Sequence, residues 1–253
     1  MLNPSTSNLG RRAFLERMGL ASAGLIVGVG RLQGAGAPVV VQRLSAGVAA
    51  VDRLPAPRRY LEFGEPDGDL TAVAAGRDTR SWRIRVDGLV ERAREFDLDR
   101  LAGEMPMEER RVGLHAQAEA PLPWTGFALA ALVRWARPLP SARFLRVVSF
   151  VRPDLAANQR RVTRYPWPYR EGLGLEDAMD ERAFVAMGLH GRELPLLRGA
   201  PLRLVLPWQR GHKCAKGIVR FEFTERQPAT FWGELAPRTH PFDGDRDSQG
   251  ARS

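Results

Sequence analysis

The residues best placed to do chemistry stand between positions 199 and 219. Gly199-Ala200-Pro201-Leu202-Arg203 is followed by Leu206-Pro207-Trp208, then by Gly211-His212-Lys213-Cys214-Ala215-Lys216-Gly217. Glycines let a backbone approach a ligand closely, and successive amides in a turn make a concavity that favours anions. Arg203, leaving a short apolar run, adds a planar fork of donors suited to phosphate. Lys213 and Lys216 are the only lysines of the chain, and every other base is arginine. The same residues also describe a basic surface turn between two strands with Arg203 solvated, which is a common pattern. The residues alone leave both readings open.

Other chemistry is sparse. Cys214 is the only cysteine, which excludes an internal disulfide framework and a cysteine-only zinc site. His115 stands beside Ala116 and Gln117 without partner ligands, and a lone histidine in a strand is a weak metal candidate. No nucleophile elbow, zincin helix, P-loop or dinucleotide-binding glycine motif occurs. Glu108-Glu109, ahead of two arginines, reads as a solvated charge run. Trp124, Trp167, Trp208 and Trp232 read as packing residues.

The formal net charge of +9 attracts anions. The arginines are scattered, and no helix-turn-helix, zinc-finger or aromatic RNA motif accompanies them, so nucleic acid is not the expected partner. A phosphate-bearing small ligand fits the same arginine-rich composition.

Three regions are expected. Residues 1–50 carry Arg11-Arg12-Ala13-Phe14-Leu15, a short glycine-rich apolar stretch, and a cleavage pattern at Val48-Ala49-Ala50. This is the layout of a twin-arginine export signal and its linker. Residues 51–236 make one domain, and 237–253 a polar flexible tail. Within the domain, residues 81–86 alternate as a half-buried strand, with Trp82, Ile84 and Val86 on one face. Residues 96–103 predict a short helix. Residues 125–136 predict a helix with Phe127, Ala130, Leu132, Val133 and Ala136 on its apolar face, stopped by Pro138. Strands are predicted over 144–150, 184–189, 202–206 and 217–224, the second and third joined by a turn at His190-Gly191. In the last of these, Val219, Phe221 and Phe223 oppose Arg220 and Glu222. A short acidic helix over 175–182 turns Leu175, Ala178 and Met179 inward. Strands and short helices without a βαβ rhythm make an α+β fold.

Four segments, in order, carry a family resemblance. They are Tyr60-Leu61-Glu62-Phe63-Gly64, Pro123-Trp124-Thr125-Gly126-Phe127, the run from Tyr165-Pro166-Trp167-Pro168-Tyr169 to Ala178-Met179, and the 199–219 segment. Together they resemble the catalytic subunits of the periplasmic, molybdenum-type methionine sulfoxide reductases, within the sulfite-oxidase fold family. The resemblance covers roughly two-thirds of the chain.

The resemblance implies a mixed-sheet, sulfite-oxidase-type molybdopterin-binding fold. It implies a molybdopterin cofactor, as molybdenum–molybdopterin where the metal is retained. It further implies the periplasm, the twin-arginine export machinery, and a membrane haem-containing electron-transfer subunit as partner. Its cofactor contacts fall on Glu62, Ser149, Arg203, Cys214, Ala215 and Lys216. Arg58 and Arg198 each stand where the family has asparagine, exchanging a neutral donor-acceptor for a cation that accepts nothing. The family's metal-ligating cysteine position falls on Ala116, or on Gln117 with a one-residue shift. Alanine donates nothing and a carboxamide oxygen is a weak ligand, whereas a thiolate is a soft charged donor. Cys214 falls near the pterin phosphate rather than the metal. The expected function is therefore an exported molybdopterin-dependent oxidoreductase lacking its metal thiolate, with altered or absent activity. The alternative is a non-catalytic pterin- or anion-binding protein on the same scaffold.

Overall fold

The computed structural model describes residues 60–63, 81–113 and 121–243. The export segment, Arg58, His115, Ala116, Gln117 and residues 244–253 lie outside the described residues. Two sheets share one core. The first contains β1 (Arg83–Gly88), β2 (Arg94–Asp97), β5 (Phe144–Ser149), β6 (Arg170–Gly174) and β10 (Ile218–Thr224). Their order is β2-β1-β10-β5-β6. β1 and β10 run parallel and the other pairs antiparallel, so the sheet is mixed. The second sheet contains β3 (Glu108–Val112), β4 (Leu122–Ala128), β7 (Phe184–Leu189) and β8 (Arg192–Glu193) in that order. β9 (Arg203–Val205) also pairs with β7. Among the described residues four short helices lie between strands, α1 (Leu98–Glu104), α2 (Leu129–Ala136), α3 (Ala157–Arg161) and α4 (Leu175–Met179), and a fifth, α5 (Phe231–Leu235), follows β10. This is the expected α+β class. Among the described residues no helix is long and apolar enough to cross a membrane.

Alternation builds the first sheet. Ile84 and Val86 are buried on β1, and Phe221 and Phe223 on β10. Between them on β10, Arg220 donates from Nε to Asp87 Oδ1 at 2.8 Å, and Glu222 pairs with Arg146. The polar face of the strand is thereby neutralised across three strands. Val219 does not share the buried face of Phe221. The register shifts between Ile218 and Arg220, and Ile218 takes the buried place.

The second sheet corrects the helix expected over residues 125–136. Residues 122–128 are strand β4, and only Leu129–Ala136 is helical. β4 lies between β3 and β7, and Trp124, Thr125 and Phe127 are all buried, so side chains on both faces of the strand are covered. A short all-apolar run carries no period with which to separate strand from helix. A Cβ at Gly126 would strike the Val185 carbonyl, so the residue that weakens a helix is here required by close strand packing.

Smaller corrections follow the same logic. Phe96 belongs to β2, and α1 starts after Asp97, whose side chain accepts from Arg100 N at 2.8 Å. Met179 ends α4 exposed, leaving Ala178 as that helix's buried residue. The His190-Gly191 turn, both residues at positive φ, joins β7 to β8 and not to β9. Glu108 and Glu109 are half-buried strand residues, and Glu108 pairs with the buried Arg110 at 2.5 Å. Beyond α5, Phe242 sets its ring edge-on to Phe144, centroids 5.5 Å apart.

Candidate functional site

Arg203 opens β9 in one sheet, and Lys216 stands two residues before β10 in the other. An isolated antiparallel bridge pairs the two. Around it, Leu204 N donates to Ala215 O at 2.8 Å, Ile218 N to Leu202 O at 3.1 Å and Gly217 N to Gly199 O at 3.2 Å. The 199–218 segment therefore doubles back where the sheets meet, and this brings the two cations together. Gly199 and Gly217 sit at φ of +106° and +56°. A Cβ on Gly199 would stand 2.9 Å from Lys216 Cγ and 3.0 Å from Arg203 Cβ. One on Gly217 would stand 2.6 Å from both Phe150 Cδ1 and Tyr60 Oη. Both glycines are thus needed for conformation and for space.

Three further pieces close on this crossing. Ser149, the last residue of β5, pairs in register with Ile218 and is buried. Its Oγ has no hydrogen-bond partner among the described residues. The 60–63 turn lies against Lys216, whose Nζ is 4.8 Å from the Tyr60 ring centroid. Glu62 in this turn is buried, and its carboxylate acts electrostatically on Lys216. Arg198 ends a 3-10 turn (Leu196–Arg198) and is also buried. Its carbonyl accepts from Arg203 Nη1 at 3.0 Å, and its charge is felt by both Arg203 and Lys216.

The cluster so formed brings the cations Arg198, Arg203 and Lys216 together, with the buried Glu62 carboxylate acting on Lys216. Burial, then the charge of Arg203, push the Lys216 ammonium down to about 7, with Arg198 acting in the same sense and Glu62 and Cys214 opposing. Burial also holds the Arg203 guanidinium below its ordinary value, against the neighbouring Cys214 sulfur. An entering anion relieves this repulsion and favours charged lysine. The affinity of sulfate, whose charge is constant in this range, should fall roughly tenfold as pH rises from about 6 to about 8. In Lys216→Met the calorimetric affinity should be weak and flat over the same range.

The structure brings Glu62, Ser149, Arg203, Cys214, Ala215 and Lys216 to one place, but not with equal roles. Cys214 and Ala215 are buried in the backbone of the fold-back. Cys214 Sγ accepts from Leu206 N at 3.4 Å, so the chain's one thiol is turned inward. Arg203 lies over the Trp124 ring at 5.0 Å and gives one N–H to Leu204 O and one to Arg198 O. At least two of its five donors are thus used by backbone carbonyls among the described residues. Lys213, the loop's other lysine, does not join the site. It follows a turn at Gly211 and reaches the opposite way, 2.8 Å from the carbonyls of Gly172 and Phe242 and 3.0 Å from Glu171 Oε2. Arg198 and Tyr60 are the members that sequence reasoning did not place in the site. Arg198 was visible only as an exchanged asparagine, and Tyr60 only as a member of an aromatic motif.

A fold-back with three buried or half-buried cations, a serine hydroxyl with no hydrogen-bond partner among the described residues and two close-packed glycines is suited by charge and shape to an anionic ligand. The chain belongs to the oxidoreductase molybdopterin-binding domain family, whose model matches residues 71–232. It is 36% identical over 190 residues to the protein-methionine-sulfoxide reductase catalytic subunit MsrP of Ralstonia nicotianae, covering 72% of this chain and 56% of that protein. The chain thus spans little more than half the length of that curated relative. The sulfane dehydrogenase SoxCD of Paracoccus pantotrophus is similar at a TM-score of 0.49 and 20% identity, over 61% of this chain and 41% of that one. Molybdopterin is the cofactor of this family, and the residues present fit it. Lys216 and Arg203 would supply cations for its phosphate, Ser149 Oγ a donor, and Glu62 an acceptor for ring N–H groups.

Proposed function

We propose that this chain is an exported, molybdopterin-dependent oxidoreductase of the methionine sulfoxide reductase type, working without a protein thiolate on its metal. The convergence of Arg198, Arg203 and Lys216 on Glu62 and Ser149 is the observation that carries the reading. When bound, the cofactor supplies two-electron chemistry and oxygen-atom transfer at a sulfur centre such as methionine sulfoxide. The chain's own residues bind and orient it. Arg203 and Lys216 hold the phosphate, Cys214 and Ala215 contribute the backbone of the fold-back, Ser149 donates, and Glu62 fixes the ring. The twin-arginine layout of residues 1–50 supports export to the periplasm, where the electron donor is a membrane haem-containing subunit; that the Ralstonia nicotianae relative is a catalytic subunit supports a partner subunit.

The reading includes the exchange of the metal-ligating cysteine for Ala116 or Gln117. The inward-turned Sγ of Cys214 supports it, because no other thiol exists to replace that ligand. Restoring the ligand tests it directly. Ala116→Cys, or Gln117→Cys if the register is shifted by one, should raise molybdenum per chain severalfold by elemental analysis. Unchanged molybdenum in both variants would show that the missing thiolate is not what limits the site. The second reading, a non-catalytic pterin- or anion-binding protein, is favoured by the same missing ligand together with Arg198, which adds a cation where the family has a neutral group. It predicts bound pterin and no sulfoxide turnover even after the cysteine is restored.

A further inference from the structure

The chain after α5 is polar, and Phe242 is its only large apolar side chain. Residues 237–239, Pro241 and Asp243 are exposed, whereas His240 and Phe242 are half-buried. These two alternate side chains are the ones turned to the body of the protein. The His240 ring lies between Trp232, stacked at 5.1 Å, and His212, edge-on at 4.8 Å. The Phe242 ring sits edge-on to Phe144 at 5.5 Å and rests on Gly172 of β6, where a Cβ would strike it. Room for the ring exists because residue 172 has no side chain.

What this segment grips is the outer bend of the fold-back, residues 209–213. Gln209 is buried, and its Nε2 donates to Asp243 O at 3.0 Å. Lys213 Nζ donates to Phe242 O at 2.8 Å and lies 5.0 Å from the Phe242 ring centroid. Both contacts carry the full charge of an ammonium withdrawn from water, which makes them strong for their kind. The other side of the bend is held by β6 and the residue before it. Tyr169 Oη donates to His212 O at 2.5 Å, and Lys213 Nζ donates to Gly172 O at 2.8 Å and pairs with Glu171. Directly after the bend come the residues of the crossing: Ala215 O accepts from Leu204 N, and Lys216 bridges to Arg203.

We propose that residues 240–243 are a clasp on this bend: the Phe242 ring, seated on Gly172, keeps the carbonyls of Phe242 and Asp243 on Lys213 and Gln209, and so holds the 209–217 segment in the shape that sets Lys216 beside Arg203. Its bearing on binding rests on the anion-site reading of the crossing, whichever anion is bound. Because β6 holds the bend independently, release of the clasp loosens the bend and leaves both sheets folded. A bend held from one side samples more conformations. An anion that needs Lys216 and Arg203 at a fixed spacing must then order them as it binds, which costs affinity.

The test needs no cofactor. A recognition sequence for a site-specific protease, placed at the exposed Arg238 and Thr239, lets the intact chain fold before the segment is cut and removed by gel filtration. Amide hydrogen exchange in peptides spanning 209–217 should then quicken about tenfold, while β1 and β5 keep the parent rate. Sulfate affinity by calorimetry should fall about three- to tenfold. Gly172→Ala fills the seat of the ring in the uncut chain and should give the same pattern; it is measured in place of the cut protein if the latter unfolds. Unchanged exchange across 209–217 overturns the clasp. So does exchange that quickens evenly over both sheets, which would make the segment a general support, and so does a loosened bend with unchanged sulfate affinity. A parent protein that binds no sulfate and carries no pterin would count against the proposed function instead, and the exchange result alone would then decide the clasp.

Discussion

Replacing Arg203 and Lys216 together by methionine removes co-purifying pterin and weakens sulfate binding by about 10² to 10⁴-fold. The magnitude follows from two charge-assisted hydrogen bonds worth roughly 1.5–3 kcal/mol each in a site shielded from water. Methionine keeps the apolar stem of each side chain, so packing on Tyr60 and Trp124 is largely conserved. The single variants should divide unevenly. Lys216→Met loses a cation at the half-buried margin of the site and should act mainly on affinity. Arg203→Met also strands the carbonyls of Arg198 and Leu204, so it should lower the melting temperature as well. Equilibrium dialysis with elemental and fluorescence detection reads the first effect, and thermal unfolding the second. A double variant that folds and retains its pterin would remove the fold-back from the cofactor site.

Lys213→Met has the largest expected effect on stability, a loss of about 3–5 kcal/mol at neutral pH. Lys213 and Glu171 are almost wholly withdrawn from water and their charged atoms stand 3.0 Å apart. Removing one partner leaves the other buried without compensation. Burial already pushes the Glu171 carboxyl up, and Lys213 is the chief group holding it down. Without Lys213 the folded state keeps a proton on Glu171 at pH values where the unfolded chain, titrating near 4.5, has released it. The folded variant then binds more protons than the unfolded chain. Its stability falls as pH rises from the unfolded value through the raised folded one. The deficit in urea midpoint should be smallest in acid and reach its full size above the folded value. A pH-independent deficit, or one below about 1 kcal/mol, would mean that Glu171 is not left as a buried charge.

Much of this site could be read from residue types and spacing because its members lie close in sequence. Gly199, Arg203, Lys216 and Gly217 fall within one segment, and glycines beside cations announce an anion loop. What spacing could not show is direction. Lys213 and Lys216 are three positions apart in one loop, yet the 3-10 turn at Gly211–Lys213 sends the first into Glu171 and leaves the second at the crossing. Arg198 joined the cluster through a turn closed by Gly199 at positive φ, and its sequence gave no sign of burial. The strand β4 was misread because burial on both faces erases the two-residue period. Val219 was misplaced because a register shift is set by the partner strand and not by the residues that slip. Phe242 had no motif around it at all. Its seat exists only once β6 has brought Gly172 across the chain to meet it.

The most direct test of the central claim is molybdenum by elemental analysis together with pterin fluorescence on one sample. The protein should be expressed with its own N-terminus in a host with a working twin-arginine export system. The cation crossing at Arg203 and Lys216 predicts near-stoichiometric pterin, and the absence of a thiolate at Ala116 or Gln117 predicts molybdenum well below it. Protein that folds, reaches the periplasm and carries no pterin would contradict the assignment of this crossing as a molybdopterin site.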